Sequence, residues 1–413
     1  MNISESCLNK MTKKIMMLGG NIFQETAVLA AKKLGYHVID VDYLPDNPAH
    51  KYADEYYNIS TIDKEKVLEK ARELKIDGIV SYASDVSAPT AAYVAEAMGL
   101  PTNPYESVMV MTHKDQFRAF MRKQGLPMPK GSSFFAYSEA EAFARTLKLP
   151  IMVKPVDSSG SKGVTKVIDL DQLKAAWDEA LSYSISHHVI IEEFIEKKGY
   201  QIDGDIFVRD GKIVFWGICD QHHDLKVSPY VPAGLSYPSI QSGKVQKRAE
   251  EIVQSILSGL HMTMGAYNVE YIIGKNDEVY ILEIGPRNGG NLIPDTVCAA
   301  TGVDMAMYTV RQAVGDDISD LKQVPASACC SSYILHSREE GVFQSIDFDE
   351  EVQKRIVKCF VTAKPGDQVY PFRNGKFGIG AMVLCFSNTD EMCEMIDHMD
   401  QHIHVNLEKE TRR

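Results

Sequence analysis

Two glutamates stand at matching places in two consecutive apolar runs, Glu270 in "YNVEYII" and Glu283 in "YILEIG". The turn "GKNDE" between them makes the runs adjacent antiparallel strands. Two acids facing one side of a buried sheet repel unless something neutralises them. A hard divalent cation is one neutraliser, because magnesium takes one or two carboxylates and shares the rest of its shell with phosphate oxygens and water. The other is Arg287, four residues beyond Glu283 in "LEIGPRNGG". Both readings make this a place where charge is handled.

Three other stretches point to anion chemistry. Lys154 sits inside the apolar strand "IMVKPV", where a lysine must either extend to water or meet an anion. Four residues later begins "SSGSKG", from Ser158 and Ser159 through Gly160, Ser161 and Lys162 to Gly163. Small residues let backbone N–H groups approach a phosphate closely, and Lys162 adds charge. A flexible hairpin tip would have the same composition. The loop is not a nucleotide loop of the GxxxxGK[ST] kind, and a strand rather than a helix follows it. The third stretch is "IIEEFI", with Glu192, Glu193, Phe194 and Ile195 at its end. Backbone leaving such a strand can offer one C=O and one N–H to a flat base, with Phe194 and Ile195 packing nearby. Lys114, at the start of a helix in "THKDQFR", is a further cation that carries little signal alone.

The elements that position these residues fall into three regions. Over residues 1–110, "KIMMLGG", "HVIDVD" and "DGIVSY" read as strands, alternating with the helices "ETAVLAAKKLG", "KEKVLEKARELK" and "APTAAYVAEAMG". That alternation predicts a parallel, Rossmann-like sheet covered on both faces. Its first turn reads "LGGNIFQE" rather than GxGxxG, so a tight turn or the edge of a substrate pocket is expected there in place of a dinucleotide site. Thr112 is the expected N-cap of the next helix. Residues 111–320 read as α+β with antiparallel sheets, the glycine loop lying in a subdomain of about 111–193. Residues 321–413 read as a small C-terminal α+β unit.

The 413 residues are 45% hydrophobic and carry a net charge of −12. The length exceeds one core, and the acidic balance excludes a general nucleic-acid binder. With no run of about 18 apolar residues, no membrane span is expected. The opening "MNISESCLNKMTKK" lacks the apolar core of a signal peptide. The eight scattered cysteines read as reduced thiols of a cytoplasmic protein. "DQHHD", residues 220–224, reads as a solvated turn, the alternative being a stretch that faces the phosphates or the second substrate, and "HMDQHIH", residues 398–404, as a surface helix end rather than a metal site.

In order, "THKDQFR … MVKP … SSGSKGV … EEFI … NVEY … LEIGPRNGG" resembles the ATP-grasp superfamily of ligases, the group of biotin carboxylase, carbamoyl-phosphate synthetase and glycinamide ribonucleotide synthetase. The likeness covers roughly residues 10–300, and it rests on order and spacing more than on any single motif. It implies an ATP-grasp fold behind the N-terminal domain, with ATP and Mg2+ as ligands. Lys114 and Lys154 would hold the ATP phosphates, and the loop from Ser158 to Gly163 would close over them. The backbone of Glu193 and Ile195 would read adenine. Glu270 and Glu283 would bind Mg2+, and Arg287 would steady an acyl phosphate and its transition state. The implied activity is carboxylate–amine ligation with release of ADP and phosphate. The alternatives are carboxylation using bicarbonate and a degenerate ATP-binding module. The implied partners are a small carboxylate, a nucleophile and a second copy of the chain.

Two positions depart from the family pattern. Gly285 stands where an asparagine metal ligand is usual, which leaves Asn288 or Asn291 to reach in, or a weaker second metal site. Gly199 stands where a ribose-binding acid is usual, which leaves Glu196 or Asp203.

Overall fold

The computed structural model describes residues 12–158 and 160–408. The N-terminal strands are short, apolar runs buried on both faces, as a parallel sheet requires. Lys14–Leu18 pairs in parallel with His37–Val41 on one side and Gly78–Ser81 on the other, and Glu55–Tyr57 completes the order. Helix Glu25–Lys33 buries its alanines and Val28 against this sheet. Helix Ala88–Met98 has proline in its first turn and stops at Gly99, whose φ of +68° suits a residue without Cβ.

A helical pair, Tyr105–Thr112 and Lys114–Lys123, leads out of this domain. Thr112 does not cap the second helix as expected. It closes the first, its Oγ1 donating to the Val108 carbonyl at 3.0 Å, and His113 takes the cap position.

Two antiparallel sheets follow. The smaller has the order Gly131–Phe134, Val189–Glu193, Ile151–Pro155, Thr165–Val167. Helices Tyr137–Ala144 and Leu173–Tyr183 cover it, and Trp177 is buried among them. The larger has eight strands. It runs from Val279–Gly285 and Gly265–Ile273 through Gln201–Arg209, Lys212–His223 and Pro232–Tyr237 to Cys329–His336, Gly378–Phe386 and Ile356–Val361. Helix Gly243–Gly259, capped by the Ser242 side chain, packs its apolar stripe on the first half. Residues 321–408 thus extend the same sheet with three strands, while also forming a separate sheet from Gly341–Phe348, Gln368–Val369 and Ile403–Glu408. The mixed α/β architecture, a parallel sheet ahead of large antiparallel ones, agrees with the expected fold class.

Among the described residues no helix is long and apolar enough to cross a membrane. The expectation of uniformly reduced thiols needs one correction, because Cys330 and Cys385 form a disulfide. They lie directly opposite on the neighbouring strands Cys329–His336 and Gly378–Phe386, with Cα atoms 4.2 Å apart. Sequence spacing carries no sign of that pairing.

Candidate active site

The sheets and the N-terminal domain enclose a cleft of about 440 Å³. Its floor is the edge of the large sheet, where Glu270 and Glu283 stand opposite one another in register. Lys114 approaches from its helix start, with Nζ 3.1 Å from Glu283 Oε2, and also donates to the Ser158 carbonyl at 2.9 Å. A cation that looked ordinary in sequence therefore bridges the acid floor and the glycine loop.

Glu270 accepts a hydrogen bond from Gln201. Burial, then the nearby Asp203 and Glu283, push its carboxyl well above the usual carboxylate range. Lys114 beside Glu283 and Lys154 farther from Glu270 offset part of this charge, yet the Glu270 carboxyl stays pushed up. The site therefore suits a hard cation: oxygen donors only, two carboxylates across one strand pair, and open cleft on the remaining side. Among the described residues no cluster of three or more His, Cys, Asp or Glu ligands forms, so much of such an ion's shell would have to come from a bound substrate and water.

Lys154 projects from its strand to Glu192, Nζ to Oε2 at 3.0 Å. Glu192 is 2% exposed, and the buried Arg118 donates from Nε to its other oxygen at 2.6 Å. Burial alone would raise this carboxyl, but Arg118 and Lys154 outweigh it and hold the pKa at about 2. Arg118 also donates to the Leu282 carbonyl at 3.0 Å, tying helix Lys114–Lys123 to the strand that carries Glu283. Glu192 thus sits beneath the cleft as a counter-ion that orients Lys154. Arg118 gave no sequence signal, because its partners lie 74 and about 160 residues away.

The glycine loop lies at the cleft mouth. Gly160, Ser161 and Gly163 all adopt positive φ, and Ser161 Oγ donates to the Tyr230 carbonyl at 2.9 Å, across from the large sheet. Ser158, Gly160, Ser161 and Lys162 line the cleft, whereas Ser159 lies outside the described residues. The stretch Glu193–Ile195 is not among the cleft-lining residues. The backbone N–H groups of Glu193 and Phe194 are used by the Lys130 and Pro150 carbonyls, at 2.8 and 3.1 Å. Lys166 lies over the Phe194 ring, 3.8 Å from its centroid.

Arg287 does not pair with either glutamate. Its Nη2 lies 2.5 Å from Asp85 Oδ2, on the loop that follows the N-terminal strand Gly78–Ser81. Burial would lower the guanidinium pKa, but Asp85, with Glu283 and Asp205 behind it, raises it. Gly285 makes room for this pair. A Cβ there would lie 2.6 Å from Asp85 Oδ1 and 3.0 Å from Arg287 Cζ, so the space an asparagine would take is filled by a carboxylate from another domain.

The proposed substitutes are placed elsewhere. Asn288 is fully buried, donating to Asp205 at 3.3 Å and accepting from Thr309 at 2.7 Å. Asn291 lines the cleft. Glu196 is ion-paired with Lys275 at the surface. Asp203 is buried and takes a bond from Asn268 at 2.7 Å. Asp205, fully buried below it, receives the Gly289 N–H at 2.8 Å, and burial still lifts its pKa to about 6. That bond holds the turn after Arg287 against the sheet.

The "DQHHD" stretch is not a solvated turn. Strand Lys212–His223 continues through both histidines because Pro232–Tyr237 pairs with it, with a bulge between His222 and His223. His222 is 2% exposed and shares a 2.7 Å hydrogen bond with Asp397. Burial pushes the His223 pKa down to about 3. At the chain end, His402 pairs with Asp349 and His398 with its own helix, as a surface helix end would have it.

A cleft between a glycine-loop sheet and a larger antiparallel sheet, floored by paired acids, defines an ATP-grasp protein. Residues 111–291 match the family described as "ATP-grasp domain", so the chain carries an ATP-grasp domain over that stretch. It is 27% identical over 325 residues to the carbamoyl phosphate synthase large chain of Thermotoga sp. (strain RQ2), covering 75% of this chain and 29% of that one. It thus spans less than a third of that relative's length. The formate-dependent phosphoribosylglycinamide formyltransferase of Prochlorococcus marinus is 26% identical over 364 residues, covering 87% of this chain and 90% of that one. Among solved structures, L-amino acid ligase from Bacillus licheniformis superposes with a TM-score of 0.81 at 20% identity, covering 96% of this chain and 99% of that one. Phosphoribosylglycinamide synthetase from Anaerococcus prevotii gives 0.75 at 20%, covering 96% and 100%.

Proposed function

We propose that the protein is an ATP-dependent carboxylate–amine ligase that activates a small carboxylate as an acyl phosphate and releases ADP and phosphate. The observation that carries this reading is the convergence of Glu270, Glu283, Lys114, Lys154 and Arg287 on one cleft beside the glycine loop. Lys114 and Lys154 hold phosphate oxygens, exchanging their carboxylate partners for the nucleotide. The loop from Ser158 to Gly163 covers those oxygens and excludes water. Glu270 and Glu283 would hold Mg2+, which would supply positive charge to offset that of the phosphates.

A substrate carboxylate oxygen attacks the γ-phosphorus, and the bond from that phosphorus to the β–γ bridging oxygen breaks. Arg287 offsets charge on the moving phosphoryl group and then on the acyl phosphate. An amine nitrogen next attacks the acyl carbon. The carbon–oxygen bond to phosphate breaks, and the nitrogen sheds a proton to solvent. Likeness to a family of ligases and to an L-amino acid ligase supports the same class.

The test is product analysis with magnesium, ATP and candidate acids. ADP and phosphate should form in equal amounts, and only when a carboxylate is present. Stoichiometric AMP and pyrophosphate would overturn the reaction class.

A further inference from the structure

Residues 224–231 connect two strands of the large sheet and touch the glycine loop on the way. Strand Lys212–His223 brings Gln221 to the cleft, and the chain re-enters the sheet at Pro232. Between them Tyr230 also lines the cleft, and its carbonyl accepts the Ser161 hydroxyl at 2.9 Å. Ser161 has a φ of +57°. That left-handed conformation is sparsely populated for a residue with a Cβ and persists where surrounding contacts hold it. Tyr230 is one such contact, so whatever fixes Tyr230 bears on the glycine loop.

The start of the segment is fastened by C-terminal residues. The Asp224 side chain is only 6% exposed. Its Oδ2 accepts from Arg338 Nε at 2.6 Å and its Oδ1 from Arg338 Nη2 at 3.0 Å, the two-pronged geometry a guanidinium offers a carboxylate. His336 Nε2 lies 3.2 Å from the same Oδ2. Burial would raise this carboxyl, but the bonds from His336 and Arg338 carry it well below the usual carboxylate range. The remaining nitrogen of Arg338, Nη1, donates to Asp400 at 2.7 Å, and Asp400 also takes Lys226 Nζ at 2.8 Å. Asp224 in turn shapes the segment. Its Oδ1 accepts the Lys226 N–H at 3.0 Å, and its carbonyl accepts the N–H groups of Val227 and Ser228 at 3.0 and 2.9 Å. Ser228 Oγ then accepts the Tyr230 N–H at 3.3 Å. Hydrogen bonds thus run from Arg338 through Asp224 and Ser228 to Tyr230 and Ser161. Arg338 and Asp400 face a second cavity of about 560 Å³, so replacing the arginine leaves the packed cores intact.

Resting on the nucleotide site proposed above, we propose that Arg338 is a positioning residue for the glycine loop. By holding Asp224 and Asp400 together it fixes residues 224–230, and through Tyr230 it seats Ser161 and the neighbouring Lys162 at the ATP phosphates.

The experiment follows trypsin cleavage after Lys162 in the full chain, read by mass spectrometry as the peptide beginning at Gly163, with and without magnesium and the non-hydrolysable analogue AMP-PNP. Wild type, Arg338→Met, Ser161→Ala and the double variant are compared. Arg145→Met, which breaks a surface pair with Glu141, is the control. In wild type and control the analogue should slow cleavage by about tenfold or more, and in Arg338→Met by less than about threefold, the scale of change that losing a charge-assisted contact gives. Ser161→Ala should lose protection to a similar extent. Adding Arg338→Met to it should change protection by less than about twofold, because both act through one contact. Asp224→Asn, which keeps the side chain's shape and loses its charge, repeats the comparison if Arg338→Met does not fold. Protection in a folded variant equal to that of wild type overturns the proposal and leaves the nucleotide site standing. Additive losses in the double variant overturn the route through Tyr230. Failure of the analogue to protect wild type overturns the nucleotide site and this proposal with it.

Discussion

Replacing Arg118 by methionine should destabilise the protein more than any single change at the cleft surface. Arg118 holds Glu192 through a 2.6 Å contact at a site where both side chains are nearly inaccessible. Methionine keeps the aliphatic stem and removes the charge, leaving Glu192 with Lys154 alone. Breaking a buried pair by removing one partner costs about 3–5 kcal/mol. The acid's own titration gives a similar figure. A carboxyl held at about 2 against an ordinary 4.5 carries about 3 kcal/mol of differential stabilisation.

The sign follows from the direction. The folded-state pKa is depressed, so this contribution is complete above about pH 4.5 and is lost as pH falls through about 2. The assay is urea unfolding of wild type, Arg118→Met and Arg118→Met/Glu192→Gln, at pH 7 and near pH 3. At pH 7 the single variant should fall by about 3–5 kcal/mol, and the double variant should recover a substantial part, because a neutral amide no longer leaves a buried charge unpaired. Near pH 3 the gap between single variant and wild type should narrow. A single-variant cost under about 1 kcal/mol, or a double variant no more stable than the single, would refute the counter-ion role of Glu192.

Other changes test the cleft more directly. Lys154→Met should weaken ATP binding by about 1.5–3 kcal/mol in titration calorimetry; unchanged affinity in folded protein removes Lys154 from the nucleotide site. Arg287→Ala should lower kcat by about 10²–10³-fold while ATP affinity changes far less, so a loss confined to ATP binding contradicts a transition-state role. Gly285→Asn should not tighten metal binding, as the family pattern alone would suggest. Its Cβ would meet Asp85 Oδ1 at 2.6 Å, so a stability loss of about 1–3 kcal/mol and a fall in kcat are expected; wild-type turnover would show that the Asp85–Arg287 pair is dispensable. Chelation of divalent ions should abolish turnover and leave the unfolding midpoint nearly unchanged, since the ion pair with Lys114, at 3.1 Å, offsets the charge of Glu283.

The legible part of this structure is what short spacing can encode. Alternation of apolar strands and amphipathic helices over the first hundred residues predicted a parallel sheet, and it forms with Lys14–Leu18 at its interior. The turn "GKNDE" fixed the antiparallel partnership of two strands, and hence the meeting of Glu270 and Glu283. Positive φ at Gly160 and Gly163 is the kind of geometry that a run of small residues permits. The histidine pair at 222 and 223 went astray for a related reason. A polar "DQHHD" looks like a turn until a neighbouring strand, Pro232–Tyr237, pairs with it and buries it, and single-sequence propensity contains no information about that neighbour.

The illegible part is charge compensation between distant segments. Lys154 was readable as a cation needing an anion, but its resting partner is Glu192, which the sequence offered as part of a base-binding edge. Arg287 was readable as a cation beside two acids, yet it turns to Asp85, 202 residues earlier. Both outcomes have one physical cause. A nucleotide site needs cations concentrated where phosphates will sit, and without the nucleotide such cations repel one another and are costly to bury. The chain holds them on carboxylates drawn from other elements, Glu192 for Lys154, Glu283 for Lys114 and Asp85 for Arg287. Binding ATP on the proposed reading is then an exchange of counter-ions rather than a burial of bare charge. The departure at Gly285 belongs to the same arrangement, because the missing side chain is what lets a carboxylate of the N-terminal domain reach the arginine.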